Sequence, residues 1–289
     1  MSPPTYPRLD AEVLADMASI SLIQTTGAGF DQVDLEAARR QNLPVANVPG
    51  ENAGAVAEFT IGLIIALQRQ IVLTDREIKA GNYQEDRERL PARGLPEIRD
   101  TELGIVGLGE SGRQVARLAK MLGARTSYFS HNRKSREVET QLGVEYKPWE
   151  QLLSTSEVIS LHVPLNDRTR GLVGTRELSL MPPGSLIINT ARGEVIDQTA
   201  LAAKLEDGHL GGAAVDTVAP EPPPCNHPLL RLSPAARDRL IMTPHLAGVT
   251  SGSFTRMLRA ALDNLQRIAG GGEPQNVVNG VSGKEILGR

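Results

Sequence analysis

The sequence predicts a doubly wound α/β domain built on a parallel sheet, beginning at about residue 100. Short β-rich apolar runs recur at Leu103–Leu108, Arg125–Ser130, Val158–Val163, Ser185–Thr190, Gly211–Asp216 and Leu240–Thr243. They are nearly continuous in apolar residues rather than alternating, as expected of parallel strands covered on both faces. The connections, about 15–25 residues each, suit crossover helices. A glycine-rich turn directly after the first run completes the pattern.

The elements follow in order. Ser21–Thr26 reads as a strand, and Val33–Arg40 as a short helix with Asp34 near its start. Gly54–Leu73 reads as one long helix, apolar almost all round and therefore buried. Asn82–Arg99, charged and containing Pro91, Gly94 and Pro96, reads as an exposed connector. After the glycine turn, Val115, Leu118, Ala119 and Leu122 form a helical stripe that Gly123 stops. Beyond Thr250 a helix over roughly Phe254–Ile268 ends at Gly270-Gly271-Gly272, and the tail from Pro274 shows little pattern.

The chain has 289 residues, with 31 Lys+Arg against 34 Asp+Glu and a net charge of −3. That length suits about two domains, and the charge balance argues against a protein that coats nucleic acid. The longest strongly apolar stretch, Phe59–Leu67, is too short to cross a bilayer, and Met1–Asp10 lacks the pattern of a secretory signal. A cytoplasmic protein with no membrane partner is the expectation. The lone cysteine, Cys225, can form no intrachain disulfide or cysteine cage and reads as an ordinary thiol. The five histidines show no close ligand spacing, so no metal site is expected.

Gly107, Gly109 and Gly112 stand in GxGxxG spacing between an apolar strand and an amphipathic helix. Gly107 permits a tight turn, Gly109 lets a pyrophosphate approach the backbone, and Gly112 lets helix and strand pack closely, with phosphates at the helix N-terminus. A dinucleotide site is therefore predicted. An NAD site usually carries Asp or Glu at the end of the second strand, where it holds the ribose 2′-hydroxyl. Here that place reads Ser130-His131-Asn132-Arg133-Lys134. The acid that would repel a 2′-phosphate is absent, and Arg133 or Lys134 can pair with one. NADP is thus the preferred cofactor, with NAD possible.

Three later segments each close a predicted strand, where ligands gather in an open α/β sheet. They are Asn189-Thr190-Ala191-Arg192-Gly193, the run from Ala214 to Pro222, and Thr243-Pro244-His245-Leu246-Ala247-Gly248. Together with Gly27-Ala28-Gly29-Phe30-Asp31, Asn47-Val48-Pro49-Gly50, Ala55-Val56-Ala57-Glu58, the glycine loop and His162-Val163-Pro164-Leu165, they resemble the D-isomer-specific 2-hydroxyacid dehydrogenases from about Ile23 to Asn279. The resemblance implies that Arg192 binds the substrate carboxylate and carbonyl, that His245 is the acid/base, and that Glu221 is its carboxylate partner. It implies cofactor contacts from Gly107, Gly109, Glu110, Ser111 and Gly112, from the 130–134 loop, and from Val163, Pro164, Thr190, Ala191, Arg192, Asp216 and His245. Asp216 matches the residue that meets the nicotinamide carboxamide, while the amides of Ala28 and Gly29 match the loop that receives the substrate carboxylate.

These residue types suit the chemistry. Hydride addition to a 2-keto acid builds negative charge on the carbonyl oxygen, which a fixed guanidinium stabilises, and that oxygen must then gain a proton from a group such as imidazolium. Glu221 argues against formate as substrate, since formate dehydrogenases carry Gln there. The basic loop with this triad looks most like the NADPH-using glyoxylate/hydroxypyruvate reductases. The resemblance also implies a Rossmann cofactor domain, residues 84–247, inserted in a smaller flavodoxin-like substrate domain of residues 1–83 and 248–289, and a homodimer. Only 26 residues precede Gly27, fewer than in most of the family, so the substrate domain is expected to be N-terminally shortened. The alternatives are a corepressor-like protein that senses a nicotinamide cofactor, or an inactive truncated form.

Overall fold

A computed structural model describes residues 8–17 and 19–281. Two compact units result, one from the described residues up to Asn52 together with those from Val249 on, the other spanning Ala53–Gly248. The sequence-based boundary at 83/84 thus differs from this division by the segment that starts at Ala53.

In the first unit, β1 (Ile23–Gln24) pairs in parallel with β2 (Val45–Ala46). Asp34 caps the helix Leu35–Arg40 by accepting from the Ala37 amide, satisfying one of the unpaired donors of a helix start. Leu14, Ile23, Ala37, Ala38, Leu43 and Val45 form the small core. The segment after Pro274 is ordered by this unit: Val278 N donates to Val45 O, while the Asn279 side chain accepts from Val45 N and donates to Leu43 O. Thr250 caps the long helix Ser251–Ala269.

The second unit is a seven-stranded, all-parallel sheet. Its strands are β3 (Glu102–Val106), β4 (Arg125–Phe129), β5 (Val144–Tyr146), β6 (Val158–Leu161), β7 (Leu186–Asn189), β8 (Gly212–Val215) and β9 (Leu240–Met242). Their order is β5-β4-β3-β6-β7-β8-β9. The chain grows outward from β3 to β5, then crosses back to β6 on the other side. That reversal opens a crevice at the carboxyl ends of β3 and β6, the place where open α/β sheets take ligands. All six expected strands are present. The seventh, β5, is three residues long at the sheet edge and has the alternating burial of a half-covered strand, so it lacks the apolar run that marks the others.

Alternation within the strands supplies two cores. Leu103, Ile105, Ile188 and Ala214 pack on one face with Ile61, Ile64, Val115 and Tyr128; Val106, Ile159, Leu161, Ile187 and Val215 pack on the other with Leu201 and Leu205. The helix Glu110–Met121 buries Val115 and Ala119 as expected and ends before Gly123, whose φ is 85°. Leu122 is 41% exposed and lies outside the buried stripe.

Two expectations need correction. The helix read as Gly54–Leu73 is two helices, Ala53–Gln68 and Ile71–Lys79, bent by 57° at a break where Gln70 has φ 51°. The apolar composition continues through the break, so hydrophobicity does not reveal it. The segment Asn82–Arg99, read as a connector, contains the helix Tyr83–Arg93, which ends at Gly94 with φ 73°. Its charged residues are good helix formers, and Asp86 and Leu90 turn inward, Asp86 paired with Arg89. No single described helix is long and apolar enough to cross a membrane.

Candidate active site

The glycine turn lies at the carboxyl end of β3. Gly107 N donates to Phe129 O, and His162 N donates to Val106 O, so the turn is tied to both neighbouring strands. Gly107 has φ 95°, and a Cβ there would come within 2.5 Å of the His162 carbonyl oxygen. A Cβ on Gly112 would overlap the carbonyl oxygen of Gly107. Gly109 differs: a Cβ would meet nothing within 4 Å, so protein packing does not require glycine there. A side chain would instead occupy the space in front of the first amides of the helix Glu110–Met121, whose N-cap Gly109 makes no side-chain capping bond. Open backbone N–H groups at a helix N-terminus suit a pyrophosphate. The residues present therefore fit a dinucleotide, with Glu110 and Ser111 in the first turn of that helix.

Val163 and Pro164 follow β6 beside this turn; Val163 lies against Gly107, and Pro164 O accepts from the Thr169 hydroxyl. In the 130–134 loop, Ser130 Oγ donates to Asn132 O, closing a local turn. Lys134 N donates to the Tyr128 hydroxyl. Arg133 is drawn aside: its Nε and Nη2 donate to the two carboxylate oxygens of Glu139 at 2.9 and 3.0 Å. Glu139 is only 8% exposed and also accepts from Tyr128 Oη. Arg133, then Tyr128, hold the Glu139 carboxyl below its usual range, while burial pushes Tyr128 up to about 12. His131 meets Arg168 of the loop after β6, Nη1 to Nε2 at 3.3 Å. The sequence reading did not single out Arg168.

The ends of β7, β8 and β9 build the second half. Asn189 shapes the first turn: its Oδ1 accepts from Ala191 N and its Nδ2 donates to Arg192 O. The Thr190 and Thr60 hydroxyls lie 3.1 Å apart. Arg192 is half-buried, its Nη1 donating to Ala191 O. Gly193 abuts the Val218–Ala219 backbone so closely that a Cβ would overlap Val218 C. The Gln198 amide brackets Ala219, donating to its O and accepting from its N. Neither role is legible in the sequence, since both serve a partner more than twenty residues away.

His245 Nδ1 donates to Glu221 Oε2 at 3.0 Å, and Glu221 Oε1 accepts from Val218 N at 3.1 Å. Burial opposes charge on Glu221, but His245, Val218 N–H and Arg192 outweigh it and hold the carboxyl below its usual range. With Nδ1 committed to the carboxylate, Nε2 is the ring nitrogen left for proton exchange. His245 has φ 57°, the left-handed region that a non-glycine residue keeps only when its surroundings insist. Here they do. His245 N donates to the carbonyl oxygens of Asp216 and Thr243. The buried Asp216 carboxylate accepts from Thr243 Oγ1 at 2.6 Å and from Leu246 N and Ala247 N at 2.8 Å each. Asp216 is thus the organiser of the turn that carries His245, a role the sequence did not reveal. In the first unit, Ala28 is exposed and its carbonyl accepts from Asn47 Nδ2, which ties the Gly27–Gly29 loop to the end of β2.

A glycine turn fit for a dinucleotide, with a carboxylate-paired histidine and an arginine at neighbouring strand ends, defines a dinucleotide-dependent oxidoreductase of the α/β class. The model of the D-isomer specific 2-hydroxyacid dehydrogenase NAD binding domain matches residues 61–247. The chain is 38% identical to a glyoxylate reductase of Aeropyrum pernix, over 94% of this chain and 80% of that one. Among solved structures, the holo form of Rhodotorula graminis D-mandelate dehydrogenase superposes with a TM-score of 0.87 at 29% identity, covering 95% and 80% of the two chains. An Aquifex aeolicus D-lactate dehydrogenase complexed with NAD and lactic acid gives 0.83 at 28% identity, covering 92% and 81%. The chain belongs to the D-isomer specific 2-hydroxyacid dehydrogenase family. It is an NAD(P)-dependent enzyme that transfers a hydride between a nicotinamide cofactor and a 2-keto or 2-hydroxy acid.

Proposed function

We propose that this enzyme is an NADP(H)-preferring reductase of small 2-keto acids of the glyoxylate or hydroxypyruvate type. The observation that carries the reading is the His245–Glu221 pair at 3.0 Å, acted on by the charge of Arg192. The reduced nicotinamide supplies a hydride to the keto carbon when bound. Arg192 binds the substrate carboxylate and polarises the carbonyl, so that charge developing on the oxygen meets a fixed cation. His245 Nε2–H gives that oxygen its proton, and Glu221 holds the ring in the required tautomer and balances its charge. In the oxidative direction the same nitrogen takes the hydroxyl proton. Asp216 would hold the nicotinamide carboxamide in addition to its bonds within the turn.

The similarity to glyoxylate reductases supports the substrate class, and the lack of an acid across 130–134 supports NADP. The family resemblance supports a homodimer built through the cofactor unit, on which Ile71, Val72, Ile78, Tyr83 and Met121 are exposed. The test is oxidation of NADPH, beside NADH, by the purified protein with a panel of 2-keto acids headed by glyoxylate and hydroxypyruvate. Turnover preferring NADPH is expected, with nearly all of it lost in Arg192→Ala and His245→Ala while NADPH still binds. Retained turnover in either variant removes that residue from the mechanism. Bound NADPH without turnover of any 2-keto acid by the wild-type protein overturns the reductase reading in favour of a cofactor sensor.

A further inference from the structure

The loop after β6 reaches across the end of β3 to the loop after β4, and the contact is between Arg168 and His131. This is the end of β4, where a dinucleotide places its ribose 2′ position. Of the cations there, Arg133 is already committed. Two of its three nitrogens form a bidentate pair with Glu139, and its guanidinium covers the Tyr146 ring at 5.0 Å. Such a pair cancels the charge and turns the fork of donors towards the carboxylate. Among the described residues, no ion pair links Arg168 or Lys134 to a carboxylate.

Arg168 is also well placed by its backbone. Its amide donates to Asn166 Oδ1, Asn166 N donates to Thr169 Oγ1, and that hydroxyl donates to Pro164 O at 2.6 Å. This network fixes the Cα from which the side chain extends. An arginine is always a donor, so His131 Nε2 accepts from it, and the proton of the neutral ring then sits on Nδ1. The pair leaves the other guanidinium N–H groups of Arg168 and the imidazole N–H of His131 outside their mutual contact.

We propose that Arg168, steadied by His131, is the principal charge partner of the cofactor's 2′-phosphate, and that Arg133 serves instead to brace the loop through Glu139. The assignment rests on the NADP reading above and names a residue outside the 130–134 loop as its carrier. It makes cofactor choice a property of two loops that flank β3, so either loop alone is insufficient.

The test is titration calorimetry of the full chain with 2′,5′-ADP and with 5′-AMP, beside KM for NADPH and NADH. Arg168→Gln is expected to weaken 2′,5′-ADP at least about tenfold, as for loss of a charge-assisted contact, and to leave 5′-AMP unchanged. Arg168→Lys should recover part of the loss, and Arg133→Gln should lower the melting temperature while changing the 2′,5′-ADP to 5′-AMP preference by a smaller factor than Arg168→Gln does. A wild-type preference for 2′,5′-ADP that survives Arg168→Gln overturns the assignment while leaving NADP in place. Equal affinity of the wild-type protein for the two nucleotides overturns the NADP reading itself, and the role of Arg168 with it.

Discussion

Replacing Asp216 by Asn tests whether one buried carboxylate holds the catalytic turn. Asp216 is 1% exposed, and its two oxygens take three hydrogen bonds from residues 243–247. Asn keeps one oxygen, which can still accept from Thr243 Oγ1 and Leu246 N. Its amide group then faces the Ala247 N–H, donor against donor. Losing one charge-assisted bond and leaving a buried N–H unpaired costs about 2–4 kcal/mol. For a domain of this size that corresponds to a fall in Tm of roughly 5–15 °C. Activity should suffer further, because His245 keeps its φ of 57° only within this turn. Relaxation towards negative φ removes the imidazole from Glu221, and a displacement of about 1 Å is worth roughly 100-fold in turnover. Thermal unfolding and steady-state kinetics on the same preparation measure both effects. Thr243→Val, which removes one of the three bonds and leaves the carboxylate intact, should give a smaller version of each. Wild-type Tm together with wild-type kcat in Asp216→Asn would refute the claim that this carboxylate holds the turn.

Other outcomes follow from the same geometry. Gly112→Ala should abolish cofactor binding and cost at least about 1–3 kcal/mol, since the added methyl overlaps a backbone carbonyl that cannot move cheaply; cofactor fluorescence and urea unfolding check it. Glu221 is held below the usual carboxylate range, so its contribution to stability and to orienting His245 is present above that range and is lost as pH falls through its lowered value. The acid limb of the pH–rate profile should accordingly lie below the ordinary carboxylate value and be absent in Glu221→Gln. Burial pushes the His162 imidazole down to about 4. The unfolded chain binds that proton more readily, so stability should decline as pH falls from about 6.5 towards 4. The loss should be on the order of 2 kcal/mol, below the full value of the shift because the side chain is partly exposed. Unfolding midpoints of wild type and His162→Gln across that range decide it, with the difference in slope vanishing if the imidazole is not responsible.

By itself, the sequence determined the features whose cause is local. Six strands were legible because residues covered on both faces form nearly continuous β-rich apolar runs, interrupted by the buried polar Thr126, Ser127, Ser160 and Asn189, and the glycine turn because Gly107, with φ 95°, and Gly112, against the Gly107 carbonyl, leave no room for a side chain. The strand-end positions of Arg192, Glu221 and His245 followed from the strands. Tertiary structure alone decided the features that depend on a distant partner. Strand β5 is too short to carry a pattern, and the helix Tyr83–Arg93 shows mostly charge because only Asp86 and Leu90 among its described side chains turn inward. The same holds within the site. Arg133 and Arg168 look alike as exposed cations in loops, yet Glu139 takes up the first while the second meets His131, thirty-seven positions away. Asp216 is marked by the resemblance as a cofactor contact, and becomes the anchor of the His245 turn only when β9 brings residues 243–247 beside it. Charge and periodicity are carried by residue type, whereas the choice among possible partners for a charge is made by the chain's folding.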